Sequence, residues 1–300
     1  MNPKHLILTL LIMLCPIDMA AQSTITRHKP KPAVTKPKPA AKPKAKPKAK
    51  PAPRRNSTHH SSGTSSTVSL SAELNKLIND MVYVSGGTFT MGGTSEQGSD
   101  AESDEKPTHS VTLSSYYICK YEVTQALWRA VMGSNPSYFK GDNLPVEQVS
   151  WNDCQTFINR LNSYTGRNFR LPTEAEWEFA ARGGNYSRHY KYSGSNYLGD
   201  VAWYTDNSGS RTHTVGTKQA NELGLYDMTG NVWEWCSDWY GSYSSYSQSN
   251  PTGPNSGSDR VLRGGSWNSY ARSYRSSNRS YNAPSGSLRI FGFRLVLSQL

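Results

Sequence analysis

Gly224 to Trp235 reads GLYDMTGNVWEW, and within it two acids, Asp227 and Glu234, stand seven residues apart around a Gly230-Asn231 turn. Calcium takes six to eight hard oxygens, and such a turn can aim backbone carbonyls inward between two carboxylates. Glycine at position 230 lets the backbone bend closely around an ion. The competing reading is that both acids only accept backbone hydrogen bonds in a tight loop. The spacing is not that of an EF-hand, so the motif by itself leaves both readings open.

Working outward, Arg263-Gly264-Gly265-Ser266-Trp267 and Gly292-Phe293-Arg294 follow downstream. Upstream stand MVYVSGGTFTMGG at 81–93, KYEVTQALW at 120–128, LPVEQVSWNDC at 144–154 and RLPTEAEWEFAAR at 170–182. Seven such motifs in order are not a chance match. Together, over residues 81–297, they resemble the formylglycine-generating enzyme family, also called the sulfatase-modifying factor domain. The resemblance implies a single domain of α+β class, with an irregular fold related to C-type lectins and little regular secondary structure. It also implies a structural calcium, with side-chain oxygens from Asp227 and Glu234 and carbonyls from Gly230 and Val232. A second calcium site of the family falls around 200–207, where Val201 replaces the usual asparagine, so that site is expected to be lost or rebuilt around Asp206.

The oxidases of the family bind copper through a Cys-x4-Cys pair that begins three residues after the serine of the GGS motif. With it they convert the cysteine of Cys-x-Pro-x-Arg in sulfatases to formylglycine. Here those positions are Ser269 and Tyr274. Soft thiolates suit Cu(I) and hydroxyl oxygens do not, so copper is not expected and no catalytic residue is assigned. The histidine-rich helix of iron-dependent relatives is also missing, since no His-x3-His-x-Glu pattern occurs. Around the same place lie Ser266, Tyr270, Arg272, Tyr274 and Arg275, with Arg279, Tyr281 and Arg289 further on. Aromatic planes with arginines favour peptide, glycan or carboxylate ligands. The alternative is that most of these arginines pair with loop carbonyls and acids.

The N-terminus has the three parts of a secretory signal over residues 1–21: Lys4, an apolar run from Leu6 to Cys15, and Met19-Ala20-Ala21 before a cut at Gln22. A lipid anchor on Cys15 is the rival, disfavoured by the bulky Leu14. The chain is therefore expected to be exported, whether periplasmic, cell-surface or secreted, with no transmembrane helix after cleavage. Residues 22–69 read as a linker, Lys/Pro-rich and then Ser/Thr-rich. Its segment 27–55 holds 12 Lys or Arg and no acid, which keeps it extended to about 90 Å at ~3.1 Å per residue. Acidic wall polymer is a candidate partner for it.

Without those 12 bases, Lys4 and Asp18, residues 56–300 keep 20 bases and 21 acids, a net charge of −1. A nucleic-acid footprint is thus absent from the 70–300 domain. Cys119, Cys154 and Cys236 survive cleavage; Cys154 reads as a core residue, and a Cys119–Cys236 disulfide is left open.

Within the domain, Ser71–Asp80 reads as a helix, Met81–Val84 and Thr88–Met91 as a hairpin about Ser85-Gly86-Gly87, and His109–Leu113 as a strand. Thr124, Ser150 and Thr173 read as helix N-caps, the last two with Asp153 and Glu176 at the reciprocal position. Glu174, Glu176 and Glu178 read as acids complementing the helix dipole. Past Arg182, Tyr197–Trp203, Val232–Trp235 and Arg260–Leu262 read as short strands between long loops packed by aromatics. The function expected is non-catalytic binding or scaffolding at the cell envelope, with a protein, peptide or glycan partner. The alternatives are a formylglycine-generating oxidase with an altered copper site and a lectin-like ligand-binding module.

Overall fold

A computed structural model describes residues 69–298. The signal sequence and most of the linker read above lie outside them. In chain order the regular elements begin with α1 (Leu70–Asn79), β1 (Met81–Val84), β2 (Gly87–Met91), β3 (His109–Leu113) and β4 (Tyr116–Cys119). Next come α2 (Gln125–Met132), α3 (Trp151–Thr165), α4 (Glu174–Ala181) and α5 (Leu198–Val201). The last part supplies β5 (Trp233–Trp239), β6 (Gln248–Ser249), β7 (Arg260–Arg263), β8 (Arg279–Asn282), β9 (Phe291–Gly292) and β10 (Val296–Leu297). No helix among the described residues is long and apolar enough to cross a membrane.

The helix starts follow from their caps. Thr124 accepts the Leu127 amide, and Ser150 and Thr173 each close a reciprocal box with the side chain three positions on, Asp153 and Glu176. Such boxes satisfy amide groups that a first turn otherwise leaves without partners. Gly133 and Gly166, both left-handed, end α2 and α3.

Three small sheets result, ordered β1-β4-β10, β2-β3-β6 and β8-β7-β5-β9. The expected hairpin is not formed: β1 pairs with β4 while β2 pairs with β3, so Ser85-Gly86 carries the chain from one sheet into another. A side chain at Gly86 would meet the Leu113 carbonyl at 2.4 Å, and this close crossing replaces a turn. Nor is Tyr197–Trp203 a strand; its middle coils into α5.

Two apolar cores flank the largest sheet. In one, Trp128 stacks on Phe157 at 5.1 Å, with Phe293 edge-on to both, and Cys154 is buried beside them. The other places Trp177, Phe179 and Ala180 of α4 against Val111, Ile118, Met228 and Cys236. Among the described residues Cys119, Cys154 and Cys236 are buried and free, so no disulfide joins Cys119 to Cys236. The architecture is a single mixed α+β domain in which residues of β5 and β7 alternate between the two cores.

Candidate functional site

The 224–235 segment is held from both sides. Leu225, Met228, Val232 and Trp235 are buried, and the Trp235 ring N–H donates to the Val149 carbonyl at 3.0 Å. Gly230 has φ +89°, and a Cβ there would lie 2.5 Å from the Trp203 carbonyl oxygen, so only glycine fits. Asp227 and Asn231 also take positive φ. The Asn231 side chain donates to Glu122 at 2.7 Å and accepts the His213 amide at 2.9 Å.

The acids within this turn are fully buried and unequally partnered. Glu234 receives a two-pronged contact from Arg294, Nε to Oε2 and Nη2 to Oε1, both at 2.6 Å, and the Trp177 ring N–H at 2.8 Å. Asp227 accepts the Gly216 amide on Oδ2 at 2.7 Å, while its Oδ1 is buried with no hydrogen-bond partner. Burial pushes the Asp227 carboxyl up to about 6. Burial, followed by the charges of Asp227 and Glu234, also raises the Glu122 carboxyl well above its usual range. Three carboxyls thus share one arginine.

That donor set fits a cation. Asp227 Oδ1 is a free hard oxygen, and a carboxylate has about four acceptor positions, of which the three donors on Glu234 leave one. The two sequence-predicted acids are brought together, and the arginine of Gly292-Phe293-Arg294 is the partner that their spacing alone did not disclose.

The GGS segment packs beneath this turn, the Gly230 amide bonding to the Gly264 carbonyl at 2.9 Å. Gly265 has φ +78°, and a Cβ on it would press within 2.5 Å of the Tyr274 ring. Tyr274 and Ser266 are completely buried. The Tyr274 hydroxyl lies 2.5 Å from the Ser266 carbonyl and 2.6 Å from the Ser269 carbonyl, and it accepts the Ser269 amide at 3.0 Å. Ser266 and Ser269 hydroxyls are 3.1 Å apart. Ser269 and Tyr274, at which the resemblance leads one to look for a cysteine pair, are therefore adjacent and tied by hydroxyl hydrogen bonds.

Residues 67–299 match the family model of the Sulfatase-modifying factor enzyme 1-like domain. The chain belongs to that family. Chaperone protein LppX of Paenibacillus barcinonensis is 38% identical over 239 residues, covering 63% of this chain and 79% of that protein. The formylglycine-generating enzyme of Mus musculus is 38% identical over 194 residues, covering 59% of this chain, and that of Streptomyces coelicolor 39% over 191, covering 57%. The matches span only 50% and 58% of those two enzymes. Among solved structures, Treponema denticola variable protein 1 aligns with TM-score 0.66 at 34% identity, covering 73% of this chain and 95% of that one. PvdO from Pseudomonas aeruginosa aligns with TM-score 0.64 at 27% identity, covering 73% and 94%.

The expected binding surface of this sulfatase-modifying factor domain is only partly a surface. Arg275 is buried and grips Glu105 through two bonds of 2.6 and 2.5 Å, with Ser277 on the same carboxylate. Tyr274 and Ser266 are likewise interior, so these three candidates do not lie on the surface. Arg279 pairs with Glu174, and Arg263 with Glu174 and Glu178. Glu174 and Glu178 are consequently buried ion-pair partners, and of the three helix acids only Glu176 caps, shared with Arg170. Tyr270 and Arg272 remain outside, 66% exposed in the case of the tyrosine. Nearby, exposed Arg289 lies over Tyr138 at 5.6 Å and Trp267 at 5.5 Å. Sequence reasoning missed Glu122 and Glu105 because each stands in an ordinary polar context, one residue of KYEVT and the end of an acidic turn.

Proposed function

We propose that this domain is a non-oxidising member of the family that works by binding or scaffolding at the cell envelope after export. The observation that carries the reading is the Ser269–Tyr274 contact: two hydroxyls knit to backbone stand where the oxidases present two sulfurs. Burial raises the Tyr274 phenol well above its ordinary value, so no anionic oxygen is offered to a metal there. Cuprous copper needs soft, anionic sulfur. Relatives named as a chaperone and as enzymes both occur, which makes a binding role compatible with the fold. Its partner would be an envelope protein, peptide or glycan, and the basic segment 27–55 would favour acidic wall polymer.

Incubating the purified protein with copper, oxygen and a Cys-x-Pro-x-Arg peptide should leave the peptide mass unchanged. Appearance of the aldehyde product by mass spectrometry would establish the oxidase instead.

The same reading includes one structural calcium, held by Asp227 and Glu234 side chains with the Gly230 and Val232 carbonyls. The ion would offset the excess of buried carboxylates over Arg294 and so supply stability rather than chemistry. A chelator should lower the melting temperature; a ligand at one hundred times its Kd contributes about 2.7 kcal/mol. Asp227→Ala should remove most of that sensitivity. A melting curve that ignores the chelator rejects calcium.

A further inference from the structure

Away from the 227–234 turn, a cavity of about 250 Å3 opens between the start of α4, the start of β3, the end of β5 and the 241–254 loop. His109, Glu174, Asp238, Tyr243 and Arg279 line it. His109, Asp238, Glu174 and Arg279 are each at least nine-tenths buried, so this is a built site rather than a chance dent. Its framework is already satisfied: Arg279 holds Glu174 through Nε and Nη2 at 2.7 and 2.8 Å and reaches the Gly241 carbonyl at 3.0 Å.

Two atoms of these buried side chains have no protein partner among the described residues and open onto the cavity. One is Asp238 Oδ1, whose sister oxygen accepts the Glu174 amide at 3.0 Å and the Ser237 hydroxyl at 2.9 Å. The other is His109 Nε2. Its Nδ1 lies 3.2 Å from the Pro107 carbonyl, which places the proton on Nδ1 and leaves Nε2 an acceptor in the neutral ring. The His109 and Tyr243 rings are 4.9 Å apart and together give the cavity an aromatic wall. Met91 and Pro254 add apolar surface.

We propose that this cavity binds one neutral hydroxylated ring, a pyranose unit of a glycan. The inference deepens the binding reading above by naming a ligand class and a place for it. Polar atoms that open onto the cavity with no protein partner, His109 Nε2 an acceptor and Asp238 Oδ1 an acceptor or, when protonated, a donor, suit a ligand rich in O–H groups, which can do both. An aromatic and apolar wall suits the C–H face of a sugar ring. The volume of about 250 Å3 is enough to seat one ring. A cationic ligand is disfavoured because Arg279 already offsets Glu174. Burial and the charge of Glu174 push Asp238 up to about 7, so at neutral pH much of that carboxyl carries no charge.

The test is calorimetry and saturation-transfer NMR on the full chain with methyl glycosides of glucose, galactose, mannose and N-acetylglucosamine. At least one should bind. His109→Phe, which keeps the ring but removes Nε2, should weaken it at least about tenfold, the equivalent of one hydrogen bond. Ser244→Trp at the cavity mouth should abolish binding in a protein that still melts cooperatively. Tyr164→Ala, at an exposed position of α3, should leave it unchanged. Absence of binding by all four glycosides, equal binding to the Ser244→Trp protein, or binding of n-butylamine in place of sugar overturns the proposal. Such a failure leaves the peptide experiment unaffected, because that experiment reads the Ser269–Tyr274 region.

Discussion

Arg294 sets the electrostatics of the 224–235 turn. It is fully buried, it fills most of the Glu234 carboxylate, and it donates to the Tyr226 carbonyl at 2.9 Å and the Cys119 carbonyl at 3.1 Å. Removing it leaves Glu234 buried beside Glu122 and Asp227 without the guanidinium that pairs with it. Breaking one side of a buried pair costs about 3–5 kcal/mol, so Arg294→Met should lower the denaturant midpoint steeply or prevent soluble expression. By contrast Arg129→Ala, which loses an exposed pair with Asp142 at 2.8 Å, should cost under ~1 kcal/mol. Chemical denaturation of the two variants side by side checks the contrast, and similar midpoints would refute it. The contrast also marks what was legible at this scale. Position 294 was visible as part of a motif, but its partner stands 60 residues earlier. Arg275 is 170 residues from Glu105 and Arg279 is 105 from Glu174. Arginines in a Ser/Tyr-rich stretch look like surface residues because charged side chains are seldom fully buried unless paired, and a pairing across such distances leaves no local pattern.

Among the elements, capped helices and most strands were readable as elements, but strand partners were not. A helix start is encoded within four residues: Thr173 accepts the Glu176 amide at 3.1 Å, and Glu176 returns a bond to the Thr173 amide at 2.8 Å. Thr173→Ala removes the hydroxyl half of this box and should cost about 1 kcal/mol, with Thr173→Ser recovering most of it. Equal stability of the alanine and serine variants in thermal melts would sink this. The box also fixes the first turn that carries Glu174 to Arg279, so the loss should be felt at the cavity as well as in α4. Strand partners are chosen non-locally. Met81–Val84 and Thr88–Met91 were recognisable as extended, but nothing in Ser85-Gly86-Gly87 announces that they enter different sheets. Leu198 and Val201 are spaced three apart, which suits one turn of helix as well as a strand, and packing of Val201 beside Tyr274 selects the helix.

Over the whole molecule, the buried acids divide into two opposing sets. Glu105 and Glu174 lie below the usual carboxylate range: burial alone would raise them, but Arg275 in the first case and Arg279 with Arg263 in the second pull them down. Glu147 and Asp238 are both pushed to about 7, chiefly by burial, and Glu147 Oε2 is buried without a partner. A carboxyl raised in the folded state holds its proton after the unfolded chain has released it. The folded form therefore binds more protons between the ordinary carboxylate range and pH ~7, and stability falls as pH rises through that interval. The lowered set acts the other way: its contribution is present above the unfolded values and is lost as pH falls below about 4. Stability should accordingly peak near pH ~5 and decline toward pH ~8. At about 1.4 kcal/mol per pKa unit, Glu147 alone accounts for a loss on the order of 3 kcal/mol, which is several degrees of melting temperature for a domain of ~230 residues. Glu147→Gln removes the charge that must be accommodated at high pH, so its melting temperature should fall less between pH 5 and 8 than that of the unsubstituted protein, both measured at fixed calcium. A melting temperature that is flat or rises over this interval, or a Glu147→Gln profile parallel to the parent, would show that these carboxyls are not held protonated by the fold.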